Sequence, residues 1–314
     1  MRVLIVTFAL LCALVAGAAA QQANSSNDEP KGKKTKNAES AAKTQEKKPS
    51  QAAEKATEPN PAAEEQKPAA PKPGSDKDKE EYDVSEVPPV LTHHQVTLDG
   101  KLLKYTATAG RLPIKRGDGK IEAEMFFVAY TLEGQDAGKR PLTFAFNGGP
   151  GSATIWLHMG ALGPRRVLMQ PDGFMPAAPY RIADNAYTLL DKSDVVLVDA
   201  ISTGFSRAAN AELSKKFLGV KGDIEAFSEF IRLYLTRYER WSSPLFLFGE
   251  SYGTTRAAGI AGNLADQGIS FNGITLLSTA LSFQTLVDNK SNDQPYVLLI
   301  PSFTMIAGYH KKLP

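Results

Sequence analysis

The chain has 314 residues with 36 basic and 34 acidic side chains, a formal net charge of +2, a 42% hydrophobic content and a single cysteine. Charge this close to balance gives no electrostatic footprint for nucleic acid, and one thiol excludes a framework of internal disulfides. The length allows one large domain or two small ones.

Met1 and Arg2 precede an apolar run from Val3 to Gly17, which ends in Ala18-Ala19-Ala20. A charged start, a short apolar stretch and an A-x-A site are the marks of a secretory signal. The run falls short of the ~20 residues a membrane-spanning helix needs. Residues 1–20 therefore read as a signal peptide cleaved before Gln21, and the mature chain as secreted or periplasmic with no membrane span. Cys12 follows Leu11 rather than a small residue, which argues against a lipid anchor, and cleavage would leave no cysteine at all.

Residues 21–83 are composed almost wholly of Ala, Lys, Glu, Pro, Ser, Asn and Gln. Such a segment cannot bury enough apolar surface to offset the entropy of ordering it, so it reads as a disordered linker. From residue 84 to the end, aromatic and β-branched residues recur, and only this part can build a core.

Apolar alternation predicts strands over His94–Leu98, Leu103–Ala107 and Glu124–Leu132, an antiparallel meander by their proximity in sequence. Continuous apolar runs predict strands over Leu142–Phe146, Asp194–Asp199, Leu245–Phe248 and Ile274–Leu277. Between Asp194–Asp199 and Leu245–Phe248, Phe227, Phe230, Ile231, Tyr234, Leu235 and Tyr238 recur at helical spacing within Ile224–Trp241. Strands alternating with helices imply a mostly parallel sheet covered on both faces, an α/β architecture. Gln294–Lys312 reads as a loop and an apolar helix.

Two segments carry chemistry. Pro244 to Phe248 is a short apolar strand that runs into Gly249-Glu250-Ser251-Tyr252-Gly253, followed by the helix-compatible stretch Thr254–Asp266. The pattern G-x-S-x-G is weak alone, but between a buried strand and a helix it describes a nucleophile elbow, where a sharp turn raises the serine above an α/β-hydrolase sheet. The second segment is Thr143 to Phe146 followed by Asn147-Gly148-Gly149-Pro150-Gly151, a strand ending in a glycine loop. In that fold one oxyanion N–H comes from such a loop and the other from the residue after the serine, positions filled here by Gly149 and Tyr252.

Four blocks in order, Asn147-Gly148-Gly149-Pro150-Gly151, Leu162-Gly163-Pro164, Asp199 with Thr203-Gly204-Phe205-Ser206, and Gly249-Glu250-Ser251-Tyr252-Gly253, together resemble the serine carboxypeptidase family from about His94 onward. The resemblance implies an α/β-hydrolase fold without metal or other cofactor and a peptide substrate with a free C-terminal carboxylate. It implies that Ser251 attacks the scissile carbonyl, that the Gly149 and Tyr252 amides hold the oxyanion, and that Asn147, Gly148 and Glu250 line the substrate site. In this scheme Asn147 and Glu250 bind the terminal carboxylate. A carboxyl group can hold a carboxylate only if the pair shares a proton, because two like charges at hydrogen-bond distance repel.

The chain departs from the family pattern at Ser152, where many members carry cysteine, at Ala161, where many carry a glutamate that supports the carboxylate-binding pair, and at Ala200 and Ser202, where proline and glycine are usual. In this fold the acid and base of the triad follow the serine on later strands. Downstream of Ser251 one strand is predicted and His310 is the one histidine. An in-chain triad would have to pair His310 with Asp288 or Asp293, whereas the base normally sits on a strand-supported loop. The expectation is therefore a C-terminally truncated carboxypeptidase half, inactive alone and exposing an apolar sheet edge. An acyltransferase or esterase on the same scaffold, or a non-catalytic secreted fragment, are the alternatives. His158 is expected to pack locally, and His93 and His94 show no metal-ligand spacing.

Overall fold

The computed structural model describes residues 82–286 and 291–313. The expected signal peptide, the linker up to residue 81 and Asp288 lie outside the described residues. Ten strands, β1 (Val90–Leu98), β2 (Lys101–Lys115), β3 (Ile121–Leu132), β4 (Leu142–Phe146), β5 (Arg165–Val167), β6 (Ile182–Asp184), β7 (Asp194–Val198), β8 (Arg207–Ala208), β9 (Leu245–Glu250) and β10 (Gly273–Leu277), are described. The main sheet runs β1-β2-β3-β7-β4-β9-β10, with β8 on β3, and β5 and β6 form a separate hairpin.

The first three strands pair antiparallel, and β3 meets β7 antiparallel. From β7 onward β4, β9 and β10 all run parallel. The meander and the parallel sheet are thus one surface, joined along β3 and β7. Strands β4 and β7 are buried at every position, which explains their continuous apolar sequence.

Five α-helical stretches accompany the sheet: α1 (Ile155–Leu157), continuing into a π-turn over His158–Leu162, then α2 (Ala211–Leu218), α3 (Val220–Arg237), α4 (Tyr252–Ala265) and α5 (Gln294–Tyr309). The main core lies between the sheet and α3 and α4, where Phe127, Phe144, Phe146, Phe227, Phe230 and Tyr234 are fully buried. Their rings meet edge to face, with Phe146 and Phe227 centroids 5.0 Å apart and Phe144 and Tyr234 5.4 Å apart. A second core on the other face packs Ala145, Leu157, Leu162, Val195 and Leu197.

Strand β2 is three times longer than the predicted Leu103–Ala107, because Gly110 and Pro113 interrupt the sequence pattern. Pairing with β1 stops at Ala109 while pairing with β3 continues to Lys115, so Pro113 sits where β2 has one neighbour instead of two. Strand β10 closes the described sheet with Ile274, Leu276 and Leu277 exposed, and α5 exposes Val297, Ile300, Phe303 and Met305. Among the described residues no helix is long and apolar enough to cross a membrane.

Asp194, at the start of β7, accepts Arg140 Nε at 2.6 Å and a guanidinium nitrogen of Arg240 at 2.7 Å, Asp194 and Arg240 being buried and Arg140 part-buried. It also accepts the Leu132 N–H at 3.0 Å, so one carboxylate ties β3, β7 and the approach to β9 together.

His158 is part-buried in the π-turn with Nε2 2.6 Å from the Tyr130 hydroxyl, a local packing role as the sequence suggested. Burial pushes its imidazole down from 6.5 to about 4. Because the folded value lies below the unfolded one, this histidine opposes folding as pH falls through that window and is neutral in its effect above it. The shift corresponds to roughly 3 kcal/mol lost between pH 6.5 and 4. His158→Gln is expected to flatten that part of the stability profile, measured by urea unfolding at a series of pH values; a parallel profile for the variant would refute the assignment.

Candidate active site

The site forms where β4 and β9, neighbours in the parallel sheet, end together: Phe146 lies opposite Gly249 in the register. Open α/β sheets bind ligands at the carboxyl ends of their strands because the loops there leave a crevice. The glycine loop leaves β4 and the serine turn leaves β9, so sequences about a hundred residues apart meet at this edge.

Ser251 adopts φ 56° and ψ −123° between β9 and α4. A non-glycine residue held in this region costs on the order of 1–3 kcal/mol and persists where its surroundings enforce it. The enforcement is visible. Ser251 N–H donates to Leu277 O at 2.9 Å, Thr254 N–H and Thr254 Oγ1 bond to Ser251 O at 2.9 and 2.7 Å, and Ala280 N–H closes on Thr254 Oγ1 at 2.8 Å. The Ser251 side chain occupies the N-cap position of α4 without capping it, so its hydroxyl is left for other work.

Both flanking glycines are needed sterically. A Cβ on Gly249 would lie 2.1 Å from Gly253 O, and one on Gly253 would lie 2.8 Å from Phe146 O. The tightest contact joins the two loops: a Cβ on Gly148 would stand 2.4 Å from Tyr252 N and 2.7 Å from Glu250 O. The glycine loop therefore rests backbone to backbone on the serine turn. Gly149 follows at φ 108°, a left-handed value that favours glycine. Tyr252 is the first residue of α4 and has no carbonyl one turn earlier to receive its N–H.

Asn147 is buried and committed on both sides of its amide. Its Nδ2 donates to Glu250 Oε2 at 2.9 Å, and its Oδ1 accepts the Leu157 N–H at 2.9 Å. Glu250 is half-buried. Asn147, Gly148, Glu250, Ser251 and Tyr252 thus converge at one place, with Gly149 next in the loop. Ala161 is exposed in the π-turn and brings no carboxyl to the pair.

Behind the loop, buried Asp199 accepts Thr154 N–H at 2.8 Å and Phe205 N–H at 3.3 Å. Burial raises its carboxyl above the ordinary range against the opposing pull of these two amides. Gly204 is required here, since a Cβ would fall 1.9 Å from Asp199 Oδ2. This is the physical content of the Asp199 and Thr203-Gly204-Phe205-Ser206 block: it fixes the far end of the glycine loop.

Sequence reading overlooked Arg256 and Asp223, which pair at 2.8 Å between α4 and α3. Both fall on buried helix stripes, Tyr252-Arg256-Ile260-Leu264 and Asp223-Phe227-Phe230. A charge recurring on an apolar stripe was the available signal.

Among the described residues no histidine is hydrogen-bonded to Ser251. His93 pairs with Glu133 at 2.7 Å, His94 with Thr92 at 2.8 Å, and His158 with Tyr130. His310 is exposed at the end of α5, whereas Asp293 precedes the same helix, so roughly 25 Å of helix separates them and they cannot form a dyad. Among the described residues no cluster of three potential metal ligands occurs.

Comparison with solved structures finds a peroxisomal alpha-beta-hydrolase from Saccharomyces cerevisiae, 13% identical with a TM-score of 0.33, over 55% of this chain and 44% of that one. Similar matches are the juvenile hormone epoxide hydrolase of the silkworm Bombyx mori, 14% identical, TM-score 0.31, over 55% and 35% of the two chains, and a bacterial brefeldin A esterase, 15% identical, TM-score 0.32, over 60% and 44%. The chain spans less than half the length of each of these three. No curated protein sequence matches. Residues 102–303, however, match the serine carboxypeptidase family, a region that includes every site residue described above. With its mixed sheet, parallel from β7 to β10, its glycine loop and its serine turn, the chain belongs to the serine carboxypeptidase family and has the α/β-hydrolase fold.

Proposed function

We propose that the chain carries the nucleophile and oxyanion site of a secreted serine-type carboxypeptidase, which releases the last residue of a peptide through an acyl-enzyme on Ser251. The observation that carries this reading is the backbone contact of Gly148 with the turn holding strained Ser251. In the proposed reaction Ser251 Oγ attacks the carbonyl carbon of the terminal peptide bond. The Gly149 and Tyr252 amides take up the negative charge on its oxygen. The C–N bond then breaks as its nitrogen takes up the proton lost from Ser251 Oγ, the free amino acid departs, and the ester left on Ser251 is hydrolysed by water, whose proton returns to Oγ. Asn147 and Glu250 hold the substrate's terminal carboxylate, which restricts cleavage to the chain end.

A hydroxyl attacks efficiently only when a base accepts its proton, and no histidine among the described residues is placed to do so. The chain alone is therefore proposed to be nearly inactive, with residual reactivity from the oxyanion site. Loss of a triad base leaves roughly 10³- to 10⁴-fold over the uncatalysed rate from that site and from binding.

Labelling with an alkyl fluorophosphonate tests the reading directly. Slow labelling is expected, orders of magnitude below an intact triad and abolished by Ser251→Ala; a folded chain that stays unlabelled would favour a non-catalytic role. Gly148→Ala is expected to destabilise the fold by about 1–3 kcal/mol through overpacking and to abolish the slow labelling, whereas an unchanged labelling rate would detach the glycine loop from the chemistry. In a family member with a full triad and the same Asn–Glu pair, KM for blocked dipeptides should rise from weakly acidic to mildly alkaline pH as the shared proton is lost, and the equivalent Glu→Gln variant should remove that dependence. A flat wild-type KM would overturn the carboxylate-binding role.

A further inference from the structure

Arg256 is one of the largest fully buried side chains in the molecule, 1% exposed, and nothing in the proposed reaction uses it. A guanidinium held away from water needs partners for its charge and its N–H groups. Two of its partners, Asn147 and Tyr252, belong to the site, and the others hold it from α3 and β4. Nε donates to Asp223 Oδ2 at 2.8 Å, and a terminal nitrogen donates to the main-chain carbonyl of Asn147 at 2.7 Å. The planar group stacks 4.4 Å from the Phe227 ring centroid, 5.2 Å from Tyr252 and 5.4 Å from Phe146.

These contacts touch both sources of the oxyanion donors. Asn147 begins the glycine loop, and its carbonyl belongs to the peptide unit that leads into Gly148. Tyr252 supplies the other amide, and its side chain lies against the same guanidinium. Its hydroxyl is pushed up to about 12 by burial, with the nearby Asp223 adding to the shift. The two loops already touch, a Gly148 Cβ having 2.4 Å to Tyr252 N. Their relative height therefore depends on what holds each from below.

Resting on the hydrolase reading above, we infer that Arg256, held by Asp223, is a positioning residue that sets the Asn147–Gly149 turn against the Tyr252 amide from beneath the oxyanion site. Arginine suits this place because its rigid fork reaches a carboxylate and a carbonyl at once while lying flat on aromatic rings; lysine has one charged atom and no plane. A residue needed only to fill the core would have no reason to donate to a carbonyl of the glycine loop.

Two variants separate positioning from simple core stability. Arg256→Met with Asp223→Asn removes both charges together and avoids an unpaired buried carboxylate. Arg256→Lys keeps the charge pair but gives up the second prong. Hydrogen–deuterium exchange of the full chain is read over residues 143–152 and, as reference, over β3 (Ile121–Leu132). Both variants are expected to exchange roughly tenfold faster in the glycine loop while β3 is unchanged. Loop exchange equal to wild type, or equal acceleration in loop and β3, would overturn the inference. Fluorophosphonate labelling of wild type keeps the two readings apart. An unlabelled wild type with a loosened variant loop would sink the hydrolase reading alone, and a labelled wild type with an unmoved loop would sink the positioning role alone.

Discussion

The site depends on a close approach of two stretches of main chain that leaves no room for a β-carbon. Gly148 lies on the turn that carries Glu250, Ser251 and Tyr252, at distances no side chain would tolerate. In the proposed reaction the amides brought together by this approach stabilise the charge on an attacked carbonyl, and preorganised dipoles of this kind supply much of the rate in acyl-transfer enzymes. It also explains the composition of both loops, which are rich in glycine because of what they must touch.

Everything around the contact serves to hold it. The adjacency of β4 and β9 brings the loops to one edge, and the buried rings of Phe144, Phe146, Phe227 and Tyr234 fix the strands against α3 and α4. Asp199 anchors the far end of the glycine loop through Thr154, Arg256 anchors the near end through the Asn147 carbonyl, and Thr254 locks the strained serine from below. The strain at Ser251 and the buried charges on Asp199 and Arg256 are unfavourable locally, and the surrounding core and hydrogen bonds offset them.

The buried strands were legible because continuous apolar runs have few other meanings: Leu142–Phe146 was placed to the residue, and Asp194–Asp199 and Leu245–Phe248 to within two residues. The motif segments were legible because glycine, serine and proline at fixed spacing encode backbone shape directly. Three things were not. The length of β2 was hidden by Gly110 and Pro113, which mark breaks in a local reading but are tolerated where one sheet edge is open. The hairpin β5–β6 and helix α2 were missed, the hairpin because its Ile182 and Val167 are exposed and show no burial pattern. The pair Arg256–Asp223 was missed because a contact between two helices leaves no local trace beyond a charge on an apolar stripe.

The family match reaches across the whole site, while the base that a serine nucleophile requires is not found beside Ser251 among the described residues. What the described residues hold of the site is the close contact of the glycine loop with the serine turn, not a triad. The most direct measurement is a crystal structure of the chain after prolonged exposure to an alkyl phosphonylating agent. A phosphorus on Ser251 Oγ is expected, with one oxygen accepting hydrogen bonds from both the Gly149 and Tyr252 amides. An adduct whose oxygens all face solvent, or a serine packed out of reach beneath an intact glycine loop, would contradict it.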